Sequence, residues 1–253
     1  REINIPAGDV LFQFRKDVES GRLPTVSWLV PPQNFSDHPS APWFGCWYVS
    51  EVMDILTRDP NVWKNTIFIL AYDENDGYFD HVAPFTAPDP RVPGSGKVSP
   101  GIDAGLEQVK LEKDVPGPIG LGFRVPLVIA SPWSRGGYVN SEVFDHTSTL
   151  QFLEKFLSKK FGKDIRETNI TPWRRTVCGD LTSAFRKYDG RKSKALPFIE
   201  RDPFIEGICH AKGKGLPSNY KNLSPAEIEM INSHPDQSPY MPRQERGSRP
   251  ACP

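Results

Sequence analysis

The segment 66–81, TIFILAYDENDGYFDH, changes from apolar to acidic within one residue step. Residues 67–71 are apolar and favour a β-strand. A short apolar run bounded by turn signals is typical of a central strand of a parallel sheet, buried on both faces. Asp73 and Glu74 follow almost at once. Because ligands of open α/β sheets bind beyond the carboxyl ends of such strands, the segment predicts an α/β fold with a functional site at this edge.

Two interpretations of Asp73 and Glu74 stay open on position alone. The first is a solvated turn, or acids at the amino terminus of a helix. The second is oxygen ligation of a hard or borderline divalent cation, which carboxylates suit. An EF-hand is excluded because DENDGY lacks the alternating acidic pattern of that loop.

Three of the five histidines directly follow an aspartate, near the predicted end of a strand or start of a helix. The three pairs are Asp37-His38, Asp80-His81 and Asp145-His146. His81 is a candidate for a further metal ligand, for orienting a ligand, or for donating to a phosphate. A structural histidine that caps a turn is the alternative. For the pair at 145–146, the competing interpretation is a helix N-cap with a histidine bonded within the same turn.

Helical spacing of apolar residues recurs along the chain. It predicts helices over 7–21, 46–58 and 144–162, with Gly162 closing the third. One or two short helices are expected within 171–185, and another at 224–232. These segments supply the helical layer of the predicted α/β fold.

Two more apolar, β-branched runs predict strands, at 25–30 and 124–130. Pro126 suggests an edge or first-residue position for the second run. The order of strand 25–30, helix 46–58 and strand 67–71 predicts a right-handed βαβ unit. The segment from 82 to about 122 is rich in Pro and Gly and is expected to form a loop excursion over the carboxyl edge of the sheet.

Composition and the absence of certain motifs argue against several classes of protein. Lys+Arg and Asp+Glu are 31 each, and this zero net charge argues against a nucleic-acid partner. No run of 18 apolar residues is present, so no transmembrane segment is expected. The chain has no G-x-S-x-G, P-loop or G-x-G-x-x-G motif, which removes the basis for a serine hydrolase or nucleotide-binding protein.

Four cysteines, at positions 46, 178, 209 and 252, lack the spacing of a zinc site. One or two disulfides in an exported protein and unpaired, buried thiols are both compatible with this number.

Four segments resemble, in order, motifs of the phosphoesterase family, which contains bacterial phosphocholine-preferring phospholipases C and a class of acid phosphatases. They are LPTVSWLVPPQNFSDHP, TIFILAYDENDGYFDHV, GLGFRVPLVIASPWSRGGYVNSEVFDHTSTLQFLE and NITPWRRTVCGDLTSAF. They span about residues 23–185, and the last is similar to the phospholipase C branch. The resemblance implies an alkaline-phosphatase-like α/β fold and hydrolysis of a phosphate ester at a metal site.

By motif, the resemblance places Asp73 and Glu74 at metal-ligand positions, with the identity of the divalent metal left open. It places His38 where a histidine contacts the phosphoryl oxygens or the leaving group. His81, beside Asp80, is the second candidate catalytic residue.

The family's N-terminal region carries a Glu-Asn metal-binding motif and a Ser/Thr nucleophile, and no segment here corresponds to it. We therefore expect residues 1–187 to be the C-terminal part of a phosphoesterase catalytic domain, with an incomplete sheet. Residues 188–253 are expected to be an irregular extension, and its end, YMPRQERGSRPACP, resembles the linker toward a C-terminal domain. The chain alone is expected to have little or no activity.

The resemblance implies a phospholipase C that releases phosphocholine from phospholipid, with peripheral membrane contact, in a secreted or periplasmic protein. An acid phosphatase of the same family is one alternative. A non-catalytic lipid-surface binding or scaffold fragment is another.

Overall fold

The computed structural model describes residues 9–36, 38, 42–75, 77–78, 80, 82–109, 116–134, 136–188 and 190, together with 225, 226 and 229. These residues fall into two compact units. The first contains the described residues of 9–71, 127–138 and 184–188, and the second contains those of 72–126, 139–183 and 189–253.

A pair of helices, α1 (Phe12–Glu19) and α2 (Pro42–Arg58), forms the hydrophobic core of the first unit. Phe14 and Val18 of α1 and Val52 and Leu56 of α2 are buried there. These residues lie at the helical spacing that predicted both helices, which the structure confirms. A short helix α3 (Pro60–Trp63) follows, with proline in its first turn and the Asp59 side chain as its N-cap.

The sheet of the first unit has two strands within the described residues, β1 (Phe68–Ala71) and β2 (Leu127–Ala130). They pair antiparallel, with Phe68 opposite Ala130 and Ala71 opposite Leu127. The prediction of a parallel sheet is therefore wrong for this pair, and β1 is half-buried instead of covered on both faces. An apolar run indicates a strand but does not specify the direction of its partner.

Residues 25–30 do not form a strand, and the predicted βαβ unit is wrong for the described part of the chain. Trp28 and Val30 are 68% and 81% exposed. Strand propensity reflects packing against neighbouring strands, and no described strand pairs with this segment.

The second unit contains helix α4 (His146–Phe161) and helix α5 (Pro172–Val177). Asp145 is the N-cap of α4, and Gly162 ends the helix in the left-handed conformation, at φ 62°. Both ends agree with the sequence prediction, because an aspartate accepts from free amide groups and glycine adopts positive φ without strain. Thr171 caps α5.

Short 3₁₀ helices span Gln33–Phe35, Ala104–Glu107 and Thr182–Ala184. The one at 104–107 is the single helix described within 82–109 and 116–126, so most of the predicted loop excursion is irregular. The extension 188–253, including the linker, lies almost entirely outside the described residues. Residues 225, 226 and 229 of the predicted helix 224–232 are helical.

The mixture of helices and a small sheet is consistent with the predicted α/β class. No described helix has the length and apolar character needed to span a bilayer. Cys46 is exposed and Cys178 is buried, and both are free thiols. Cys209 and Cys252 lie outside the described residues, so the choice between disulfides and thiols stays open for them.

Candidate active-site edge

The acidic turn, residues 73–75, belongs to the second unit, and in the sequence only Tyr72 separates it from the last residue of β1. The carboxylates of Asp73 and Glu74 are exposed, and Asp73 Oδ1 accepts a hydrogen bond from the backbone N–H of Glu74 at 3.1 Å. Two adjacent, exposed carboxylates are oxygen donors of the kind that a hard cation takes. The sequence prediction of adjacent acids beyond a strand end is confirmed, and ligation itself stays a prediction.

Tyr72 directly precedes the acidic turn, and both its N–H and its carbonyl oxygen are hydrogen-bonded. The N–H of Tyr72 donates to the carbonyl oxygen of Pro126 at 3.2 Å, just before β2 begins. The carbonyl oxygen of Tyr72 lies 2.9 Å from Nε2 of His146. Tyr72 is therefore bonded to two segments that are distant along the chain.

A second anchor lies at the other end of the same loop. Asp80 Oδ2 lies 2.9 Å from Nε of Arg124, two residues before Pro126, and the Asp80 side chain is nearly buried. Asp80 thus takes part in an ion pair, which favours an orienting role over direct ligation. Pro126 and Arg124 therefore contact Tyr72 and Asp80, which precede and follow the acidic turn in the sequence.

A bond within its own helical turn was the competing sequence interpretation of His146, beside a functional role. Its ring bonds instead to Tyr72, directly before the acidic turn and 74 residues away along the chain. The only sequence signal for this placement was the repetition of Asp-His pairs, which does not show what each histidine contacts.

The second unit contains a buried ionic cluster. It consists of Glu107, Asp145 and Arg174, which lie on three separate segments of the chain. Nη1 of Arg174 lies 2.7 Å from Asp145 Oδ2, and its Nε lies 3.2 Å from Glu107 Oε1. The side chains of Glu107 and Asp145 are only 2% and 4% exposed. Thr171 donates to Glu107, and Nη2 of Arg174 donates to the carbonyl oxygen of Gly120 at 3.0 Å. This cluster was missed because its members are separated by up to 67 residues.

Arg174 in the buried cluster and the nearby Cys178 both have raised pKa values. Burial opposes the charge on Arg174, but the hydrogen bond to Asp145 and the charge of Glu107 raise its pKa on balance. Burial, together with the charge of Asp145, raises the pKa of the Cys178 thiol to about 12. Cys178 is therefore a neutral thiol at physiological pH, which excludes it as a thiolate nucleophile.

The two candidate catalytic histidines are placed differently. His38 is exposed, between the 3₁₀ helix at 33–35 and α2, and belongs to the first unit. His81 lies outside the described residues. Within the described part of the chain, no group of three or more His, Cys, Asp or Glu side chains is arranged to hold a metal ion. Asp73 and Glu74 are consecutive in the sequence and lie together in the second unit.

A model of the phosphoesterase family matches residues 1–158, and the chain belongs to this family. The matched region contains all four predicted site residues as well as His146.

The chain is also similar to curated phospholipases C. It is 41% identical over 250 residues to the non-hemolytic phospholipase C of Burkholderia pseudomallei, covering 98% of this chain and 33% of that protein. It is 50% identical over 192 residues to the hemolytic phospholipase C of Pseudomonas aeruginosa, covering 76% and 24%. Phospholipase C A of Mycobacterium tuberculosis is 46% identical over 173 residues, covering 68% and 31%. The chain thus spans a quarter to a third of the length of these relatives.

Proposed function

We propose that this chain contributes Asp73 and Glu74 as ligands in a metal-dependent phosphoric ester hydrolase, a phospholipase C that releases phosphocholine from phospholipid. The observation that carries the proposal is the exposed pair of adjacent carboxylates beyond β1, inside the region matched by the phosphoesterase model. The three relatives described above are all phospholipases C, which supports the choice of reaction.

The donor set fits part of a divalent cation site. Carboxylate oxygens suit Mg²⁺, Ca²⁺ and related cations, which take about six or more ligands. Two residues supply fewer, so the proposal requires further ligands beyond the acidic turn. Once bound, the cation would polarise a phosphoryl oxygen and favour the deprotonated form of a nucleophile.

The histidines have a complementary role in the proposal. His38 and His81 would donate hydrogen bonds to phosphoryl or leaving-group oxygens, where negative charge develops during cleavage. No segment of this chain resembles the family's nucleophile motif. The proposal therefore places the nucleophile on a part of the enzyme that corresponds to the relatives' remaining length. The isolated chain should accordingly have little activity.

Side-by-side assays on two substrates test the reaction class. The full-length gene product is incubated with phosphatidylcholine vesicles and with nitrophenyl phosphate, each with and without Mn²⁺. Metal-dependent release of phosphocholine is the expected result. Hydrolysis of nitrophenyl phosphate alone would replace the proposal with an acid phosphatase. Vesicle binding without hydrolysis of either substrate would replace it with a non-catalytic lipid-binding protein.

We further infer peripheral contact with membrane lipid and a secreted or periplasmic location. Trp28, Tyr78 and Tyr138 are each more than 60% exposed, and such amphipathic rings favour the membrane–water interface. Vesicle co-sedimentation of the Trp28→Ala protein should show weaker binding. Fractionation of the native cell should place the protein outside the cytoplasm, and a purely cytoplasmic protein would contradict the inference.

A further inference from the structure

We propose that His146 is a positioning residue, which fixes the acidic turn so that Asp73 and Glu74 present their carboxylates to one cation. The proposal about metal binding rests on the proposed function. The proposal about the geometry of the turn does not, because it follows from hydrogen bonds within the second unit.

The backbone of Tyr72 leads into the two acids and is hydrogen-bonded at both of its polar groups. Asp73 follows Tyr72 directly, so the orientation of the Tyr72 peptide groups sets the direction in which the backbone enters the acidic turn. The N–H of Tyr72 is held by Pro126 at 3.2 Å. His146 holds the carbonyl oxygen of Tyr72, which belongs to the peptide plane shared with Asp73.

His146 is itself held in place at the start of α4. It is the first residue of α4, and the preceding Asp145 accepts from the N–H of Thr147 at 2.9 Å and pairs with Arg174. Arg174 in turn contacts the buried Glu107. The backbone of His146 is thus fixed by the ionic cluster behind it, while its ring is exposed at the acidic turn.

The contact between His146 and Tyr72 has one possible donor. A carbonyl oxygen only accepts hydrogen bonds, so Nε2 of His146 carries a proton and acts as the donor. In this geometry Nε2 is occupied by Tyr72 and is not a metal ligand. His146 therefore acts on the carboxylates through the backbone, in the manner of residues that orient metal ligands without touching the metal.

A pair of amide substitutions isolates this hydrogen bond. The Nε2 atom of glutamine is as many bonds from Cα as the Nε2 atom of histidine, so His146→Gln can retain the donor. His146→Asn ends one bond shorter and places its amide nitrogen at the level of Nδ1. Both variants replace an exposed ring by an amide, so each serves as the control for the other.

Two measurements on the full-length gene product test the proposal. Hydrogen exchange is measured at the amides of Tyr72 and Glu74, and Mn²⁺ affinity is measured by electron paramagnetic resonance. His146→Asn should raise the exchange rates and weaken Mn²⁺ binding by about threefold to tenfold, the range of one hydrogen bond. His146→Gln should restore both toward wild type, and exchange within the middle of α4 should be unchanged in both variants.

The role of His146 in fixing the acidic turn and its effect on metal binding can fail separately. Wild-type exchange rates in His146→Asn would overturn the positioning role. So would equal losses of Mn²⁺ affinity in the glutamine and asparagine variants, because replacement of the ring and not loss of the donor would then explain the effect. If the wild-type protein binds no Mn²⁺, the metal role fails together with the proposed function, and the exchange measurement still decides the geometric role.

Discussion

Replacement of Arg174 by methionine should cause a large loss of stability, because it removes the only described cation between two buried carboxylates. Arg174 lies 2.7 Å from Asp145 and 3.0 Å from Glu107, and its own side chain is 17% exposed. Breaking a buried ion pair by removing one partner costs about 3–5 kcal/mol, since an uncompensated charge stays in the interior. We expect Arg174→Met to fall in this range, because the carbonyl oxygen of Gly120 also loses its donor.

Urea unfolding followed by circular dichroism measures this loss, provided that the slope with denaturant is the same in both proteins. Arg174→Lys is the matched variant, which keeps the charge but not the planar fork, and should lose less. The double variant that also carries Glu107→Gln should lose less stability than the sum of the losses of the two single variants.

A loss below about 1 kcal/mol for Arg174→Met would refute the reasoning. It would mean that the carboxylates are solvated or protonated at little cost, and that the cluster does not fix the start of α4.

Three further predictions concern other parts of the chain. Cys178 has a thiol pKa of about 12, so its thiolate fraction at pH 8 should be on the order of a thousandfold below that of an ordinary cysteine. Iodoacetamide should therefore label the exposed Cys46 before Cys178. Gly162→Ala should destabilise the protein by about 1–2 kcal/mol in urea unfolding, because φ is 62° and no neighbouring atom would contact the added methyl group. The two hydrogen bonds from Arg175 lower the pKa of Glu154. This pair therefore stabilises the fold fully above the unfolded pKa of about 4.3, and the stabilisation is lost as pH falls through the folded pKa. In Glu154→Gln, the free energy of unfolding should fall less over this acidic range.

Each of these predictions has a result that contradicts it. Equal labelling rates for both cysteines in the folded protein would show that Cys178 is accessible. Gly136→Ala is the control for Gly162, since its added methyl group also meets no atom and its φ lies outside the left-handed region, so similar losses for both would exclude backbone strain. An unchanged acid dependence in Glu154→Gln would remove this ion pair from the account of pH stability.

Local signals in the sequence were enough to predict the longer helices α1, α2 and α4, but not the short helix α3. The apolar spacing of Phe14 and Val18 marks α1, and the Asp145 cap and Gly162 mark the two ends of α4. These features depend on residues within one or two helical turns, where spacing and capping determine the outcome.

The sheet was harder to predict because strand pairing depends on distant residues. Both β1 and β2 were predicted as strands, yet their antiparallel direction is not encoded in either apolar run. Residues 25–30 have a similar apolar, β-branched composition and form no strand among the described residues. Their composition is compatible with a strand but does not supply the partner that a strand requires.

The same limit applies to the candidate site. The placement of Asp73 and Glu74 beyond a strand was predictable, because it is a local succession of apolar and acidic residues. The contact of His146 with Tyr72 and the cluster around Arg174 were not, because they join segments that are far apart along the chain.

The most direct test of the central claim is Mn²⁺ binding to the full-length gene product carrying Asp73→Asn or Glu74→Gln, measured by electron paramagnetic resonance. Asp54→Asn and Glu19→Gln, at exposed positions on α2 and α1, are the matched controls. We predict a loss of about tenfold or more in affinity for each acidic-turn variant and wild-type affinity for both controls. Wild-type affinity in both Asp73→Asn and Glu74→Gln would contradict the claim that this pair holds the metal.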